Sequence, residues 1–171
     1  MKNALGKATA VGTLVLTGLR PAPASAQTVG LGYGFAAPGL ATCCGDLTTM
    51  LHAGGGGEAI LGNGIGIGAD AGYLGPLQAW SEGFGLLSVN GSYHFSWVGP
   101  RHRTRPFVTS GYSLAFRGGD HLSLWNIGGG ADYWITPRVG LRIEARDHFR
   151  SEQRGTSQLW GPRFGIVIRN R

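Results

Sequence analysis

The sequence predicts an all-β fold: an eight-stranded antiparallel up-and-down transmembrane β-barrel. Three observations predict it. First, residues 139–150 alternate apolar and polar at every step, with Val139, Leu141, Ile143 and Ala145 on one face and Arg142, Glu144 and Arg146 on the other. That is strand periodicity. Second, similar alternation recurs along the chain in segments separated by turn residues. Third, glycine takes 32 of 171 positions, far above ordinary usage of ~7% and without a collagen period. Glycines inside alternating segments suit a small, strongly curved barrel. Charges then face the interior and the apolar rows face lipid.

The N-terminus reads as a secretory leader. Lys2 and Lys7 precede an uncharged stretch from Ala8 to Leu19, and Ala24-Ser25-Ala26 follows as a small-x-small cleavage site. This three-part pattern places residues 1–26 as a signal peptide and 27–171 as one domain. The apolar stretch is too short to span a bilayer, which needs ~20 residues. Cleavage would remove Lys2, Lys7 and Arg20 from a formal net charge of +6. Every cation left is arginine, at or after Arg101. These arginines stand singly on strands and in turns, without the clustered stripe of a nucleic-acid face. No later segment reads as a helical span, so membrane insertion must be by strands.

Eight segments follow in order. Residues 28–35 set Val29, Leu31, Tyr33 and Phe35 against Thr and Gly. Residues 51–61 carry Gly54 to Gly57 and Glu58. Asn63-Gly64 is a strong hairpin signal, because both residues tolerate positive φ. Residues 65–74 alternate Ile65, Ile67, Ala69, Ala71 and Tyr73 with Gly66, Gly68, Asp70 and Gly72. Residues 83–97 put Leu87, Val89, Tyr93 and Phe95 opposite Ser88, Asn90, Ser92 and His94. Residues 105–117 point Val108, Tyr112, Leu114 and Phe116 outward, and Gly118-Gly119-Asp120 turns the chain. Residues 121–136 set Trp125, Ile127, Ala131, Tyr133 and Ile135 against Asn126, Gly128, Gly130 and Asp132. Pro137-Arg138 leads into 139–150. The last segment, 158–169, opposes Trp160, Phe164, Ile166 and Ile168 to Gly161, Arg163 and Gly165.

An even strand number suits barrel closure. Short turns at 63–64, 99–104 and 137–138 fall at one end. Longer connections, 36–50 and 75–82, are expected at the other, which matches short periplasmic turns and longer external loops. Phe35, Tyr73, Trp97, Phe116, Tyr133, Trp134 and Phe149 fall near strand ends, where an interfacial aromatic belt would lie. Trp134 alone among them takes the inward parity.

The candidate functional residues are a lumen charge network: Glu58, Asp70, Asp132 and Glu144 with Arg142, Arg146 and Arg163. An eight-stranded barrel is filled by its side chains, so these charges must pair and hydrogen-bond. The expectation is a structural network. The sharper alternative is a narrow ion or proton path. Cys43 and Cys44, the only cysteines, are adjacent and make a strained disulfide ring. In an oxidising compartment they are a possible loop disulfide or thiol pair, and two thiolates alone complete no zinc site. Ser92, His94 and Glu58 hint at a hydrolase triad, but no nucleophile-elbow motif accompanies them. No catalytic residue, metal or cofactor is assigned.

The stretch from Asn126 to Asp147, with a Gly-rich strand, an aromatic pair, a short turn and Val139-Gly-Leu-Arg-Ile-Glu-Ala-Arg-Asp147, resembles the small outer-membrane-protein β-barrel family. That family includes OmpA-like barrel domains and OmpX-like barrels. The likeness runs over 106–168 and more loosely over 54–76. It implies an eight-stranded barrel in the bacterial outer membrane with both termini in the periplasm, with membrane lipid and the barrel assembly machinery as partners. Such barrels end on an aromatic residue that the machinery reads. This chain ends Ile166-Val-Ile-Arg-Asn-Arg171, so either Phe164 serves or recognition is weaker. The likeness covers the barrel alone, and the anchoring role of full-length OmpA-like proteins does not carry over. The expected role is structural or surface-interacting, as a monomer, through loops near Cys43, Glu82, His121 and Gly155. Competing readings are a soluble secreted lipocalin-like barrel with an apolar ligand, a narrow channel, and a lipid-modifying enzyme.

Overall fold

The computed structural model describes residues 28–43, 46–99, 102–152 and 155–170. The predicted leader and Cys44 lie outside the described residues, as does the side chain of Cys43. Eight strands follow one another: β1 (Val29–Cys43), β2 (Asp46–Ile60), β3 (Ile65–Pro76), β4 (Phe84–His94), β5 (Thr104–Arg117), β6 (Asp120–Trp134), β7 (Val139–Glu152) and β8 (Gly155–Arg169). Each pairs antiparallel with its chain neighbours, and β1 closes on β8. Closure leaves no sheet edge. A short 3-10 turn, Trp80–Glu82, sits in the β3–β4 link.

The polarity is inside-out. Arg142 and Glu144 are 5% and 2% exposed, whereas Leu141 and Ile143 are 44% and 55% exposed. The other strands follow the same rule: Ile67, Val89, Tyr112, Ile127 and Ile166 face outward while Asp70, Asn90, Ser113, Asn126 and Arg163 are buried.

Strand β1 departs from expectation. Its apolar row, Leu31, Tyr33 and Phe35, points inward, and its outer face carries Gly32, Gly34 and Ala36. Register decides this. Leu31 lies opposite the inward Glu58, and residues directly opposite share a face. Phe35 therefore leaves the predicted aromatic belt for the lumen. Trp97 also packs inside the mouth, against the buried cluster of Leu31, Ile60, Trp134 and Val167. Tyr133 and Phe116 are outward, as are the more central Tyr93 and Tyr112.

The connections also differ from expectation. The β1–β2 link is residues 44–45 only, because 36–43 continue the ladder against 46–53. Residues 36–50 are expected as a connection. Pro38 instead lies opposite Pro162, in a lapse of the β1–β8 ladder between Ala36 and Leu40. A proline there forfeits no ladder bond. We call this the loop end. Its other links are 77–83, 118–119 and 153–154. The opposite, turn end holds the start of β1, the end of β8 and the links 61–64, 95–103 and 135–138. The longest link, 95–103, is thus at the turn end, the reverse of the predicted asymmetry. Gly118 and Gly119 both have positive φ, +59° and +101°, which a tight two-residue hairpin requires.

Two apolar clusters pack inside the lumen. Leu31, Ile60, Trp134 and Val167 pack at the turn end. Leu86, Ala115 and Leu124, with Phe84 and Leu122, pack toward the loop end. The polar network lies between them.

Gly130 and Gly129 make a direct test of this packing. A Cβ on Gly130 would sit 2.7 Å from Glu144 Cα and press on the β7 backbone. One on Gly129 would meet nothing nearer than 3.4 Å. Gly130→Ala should therefore lower stability by about 1–3 kcal/mol. Gly129→Ala should change it little. Urea unfolding midpoints of the two variants in detergent check this.

Candidate functional site

The enclosed polar residues form layers along the barrel axis. Nearest the turn end, Arg142 on β7 lies directly opposite Asp132 on β6. Its Nε donates to Asp132 Oδ1 at 2.7 Å and its Nη2 to Asp132 Oδ2 at 3.0 Å. This is two-point guanidinium–carboxylate pairing. The same Nη2 lies 3.4 Å from Glu58 Oε2. Arg142 is also clasped by aromatic faces, with Cζ 4.5 Å from the ring centroids of both Tyr33 and Phe107. Cation–π contacts in a desolvated site contribute about 2 kcal/mol.

One turn of the pleat further on, Arg146 Nε donates to Glu144 Oε1 at 2.5 Å and Nη1 to Asp70 Oδ2 at 2.9 Å. Asn90 Nδ2 adds a bond to Asp70 Oδ2 at 2.9 Å. Arg163 is more loosely held, 3.5 Å from Asp70 and 3.7 Å from Glu144. Its guanidinium stacks on Phe35, 3.6 Å from the ring centroid. Toward the loop end the network turns neutral. Asn126 Nδ2 donates to Ser113 Oγ at 2.9 Å, Ser113 bonds Ser88 at 2.9 Å, and His148 Nδ1 lies 3.2 Å from Ser113.

All seven sequence-predicted network residues thus lie in the lumen: Glu58, Asp70, Asp132, Arg142, Glu144, Arg146 and Arg163. The sequence reading missed the aromatic residues that clasp the arginines. Phe107 was legible, since it sits between the outward Val108 and Pro106. Tyr33 and Phe35 were not, because β1 alone shows no parity clue. The soluble-barrel alternative would place Arg142, Glu144 and Arg146 in water. They are buried.

The suggested triad does not assemble. The Ser92 hydroxyl donates to Glu58 Oε1, and His94 Nε2 lies 2.9 Å from the same oxygen. Serine and histidine both lean on the carboxylate, so histidine is not placed to take the serine proton. Free volume in mid-lumen is small. One cavity of about 20 Å³ touches His52, Arg146, His148 and Arg163, and one of about 10 Å³ touches Tyr33, Glu58, Asn90 and Arg142. Each holds about one water.

Removing one partner should expose the network's energetics. Arg142→Met leaves two enclosed carboxylates without their cation and should cost about 3–5 kcal/mol. Arg142→Met with Asp132→Asn should recover part of that loss. Arg163→Met should cost less, because its carboxylates are 3.5 and 3.7 Å away. Urea titration of the folded barrel in detergent measures all three.

Among solved structures, the chain is similar to Neisserial surface protein A, with a TM-score of 0.62 and 16% identity over 81% of this chain and 96% of that one. It is similar to the N-terminal β-barrel domain of Pseudomonas aeruginosa OprF, with a TM-score of 0.59 and 17% identity over 84% and 97%. It is also similar to the Yersinia pestis attachment invasion locus protein Ail, solved with the heparin analogue sucrose octasulfate, with a TM-score of 0.51 and 13% identity over 84% and 98%. No family model and no curated protein matches the sequence. Strand count, closure and these likenesses agree: the chain has the fold of the small eight-stranded outer-membrane β-barrels.

Proposed function

We propose that this chain is an integral barrel of the bacterial outer membrane. Its filled lumen is a structural core, and it meets other molecules at its loop end, near Cys43, Glu82, His121 and Gly155. The observation that carries the reading is inside-out polarity, with ions enclosed and Ile67, Ile127, Ile143 and Ile166 turned outward. In water such a surface would be a very large apolar patch; in hydrocarbon it is solvated. The leader-like N-terminus and the fold of the similar structures support the same location. Strands of 15 residues rise roughly 35 Å at ~45° tilt, against an apolar band of ~25 Å. Their loop-end portions therefore stand clear of lipid. The projecting wall, rather than long loops, is the surface available to a partner.

The filled mid-lumen and the triad that fails to assemble favour a non-enzymatic, non-conducting role. The barrel is read as a monomer, delivered by the barrel assembly machinery.

Two measurements test this. Ile143→Arg puts a guanidinium on the hydrocarbon face and should cost about 2–4 kcal/mol for folding into phospholipid vesicles. An unchanged folding midpoint, or recovery of the protein in the soluble periplasm, would overturn the membrane reading. In planar bilayers the purified protein should give no current steps under voltage, and regular unitary steps would replace the structural lumen with a channel.

A further inference from the structure

The two ends of the barrel differ in charge. The turn-end links, 61–64, 95–103 and 135–138, contain Arg101, His102, Arg103 and Arg138 and no aspartate or glutamate. Asp46, Glu82, Asp120 and Glu152 all belong to the opposite end. At the turn-end mouth lies a cavity of about 390 Å³ lined by Trp97, His102, Arg103, Trp134, Thr136 and Arg169, with Ile135 and Pro137 at its rim. No carboxylate lines it.

Three donor-bearing residues line it. Trp134 is 6% exposed, yet its indole Nε1 has no hydrogen-bond partner among the described residues. An indole N–H can only donate, so it requires an acceptor. The Arg103 guanidinium makes no hydrogen bond or ion pair with a described residue. Arg169 donates through Nε to the Pro137 carbonyl at 2.5 Å and stacks on Trp134, 4.5 Å from a ring centroid, which leaves its Nη groups for another acceptor. Arg103, Arg169 and Trp134 thus line a cationic mouth with no carboxylate on its wall; Asp132, in the adjoining lumen-side cavity, is already held by Arg142. Arginine forks match tetrahedral phosphate oxygens. Ile135, 50% exposed, continues the outward row above Tyr133, so the pocket opens beside the apolar surface.

We propose that this mouth binds the phosphate of an anionic phospholipid headgroup. The phosphate lies against Arg103, Arg169 and the Trp134 indole, and the acyl chains run down the outer wall past Ile135. The inference goes beyond membrane residence, since ordinary hydrocarbon solvation needs no headgroup site.

The test uses the full folded barrel in micelles of a phosphate-free, uncharged detergent, so it does not depend on where the protein resides. The indole N–H resonance of Trp134, assigned with Trp134→Phe, is followed during titration. The probes are dihexanoyl phosphatidylglycerol, inorganic phosphate and dihexanoyl glycerol. The phospholipid should shift the resonance saturably. Arg103→Gln, which breaks no bond between described residues, should weaken binding roughly tenfold, the loss expected for one charge-assisted pair. Arg117→Gln at the loop end should leave it unchanged. No saturable shift, an equal shift with dihexanoyl glycerol, or unchanged affinity in Arg103→Gln would each overturn the proposal. Inorganic phosphate binding as tightly as the phospholipid would overturn the lipid as its source.

Discussion

Closure of β1 on β8 is the constraint from which the rest of this structure follows. A closed eight-stranded cylinder has a fixed width, and every strand must contribute alternate residues to it. The interior therefore cannot carry a large side chain at every inward position. Here β2 and β3 supply glycine at five inward positions, Gly54, Gly56, Gly66, Gly68 and Gly72. Side chains from across the lumen and along the wall use the space. A Cβ on Gly56 would meet the Tyr33 hydroxyl at 2.8 Å, and one on Gly66 would meet Glu58 Oε1 at 2.6 Å. The glycine-rich half and the arginine-rich half of the chain are thus complementary faces of one packed interior.

That interior also accounts for the choice of cation. A guanidinium bonds at its edge and stacks on its face, and the two surfaces can be used at once. Arg142 does both, with Asp132 and Glu58 at its edge and Tyr33 and Phe107 on its faces. Arg163 stacks on Phe35 while reaching toward Asp70. Lysine, a point charge on a flexible stem, could satisfy the carboxylates but not fill the slot between two rings. Exchanging such an ion-pair network for apolar side chains is often neutral or stabilising in itself. Its contribution here is geometric: Asp132 opposite Arg142 and Glu144 opposite Arg163 penalise any slip of strand register, because a one-residue shift would turn every charge into lipid.

The apolar clusters at the two ends give this network its low-dielectric setting. Leu31, Ile60, Trp134 and Val167 flank it at the turn end, beside a cavity of about 250 Å³ that reaches Asp132, and Leu86, Ala115 and Leu124 flank it toward the loop end. Beyond these clusters the ends diverge. One presents arginine and tryptophan around an open mouth. The other extends the wall as paired strand, with its acidic residues at the tips. A molecule approaching from either side meets different chemistry, although the wall between is mostly apolar.

Strand number, polarity and the identity of the buried ions were legible in the sequence, because period-two alternation in 65–74, 121–136 and 139–150 reports face directly. Where alternation is uninformative, the reading stopped. In β1 one row is aromatic and the other glycine, and either could face lipid by hydropathy alone; pairing of Leu31 with Glu58 settles it. Residues 36–50 read as a long connection, and only the opposition of Pro38 to Pro162 shows how a strand continues through 36–43. Local pattern alone thus determined which residues share a face in most strands. Tertiary structure decided which face of β1 is inside, where the strands stop, and that Arg103, Trp134 and Arg169 meet at one mouth, because those depend on neighbours up to the whole chain length away.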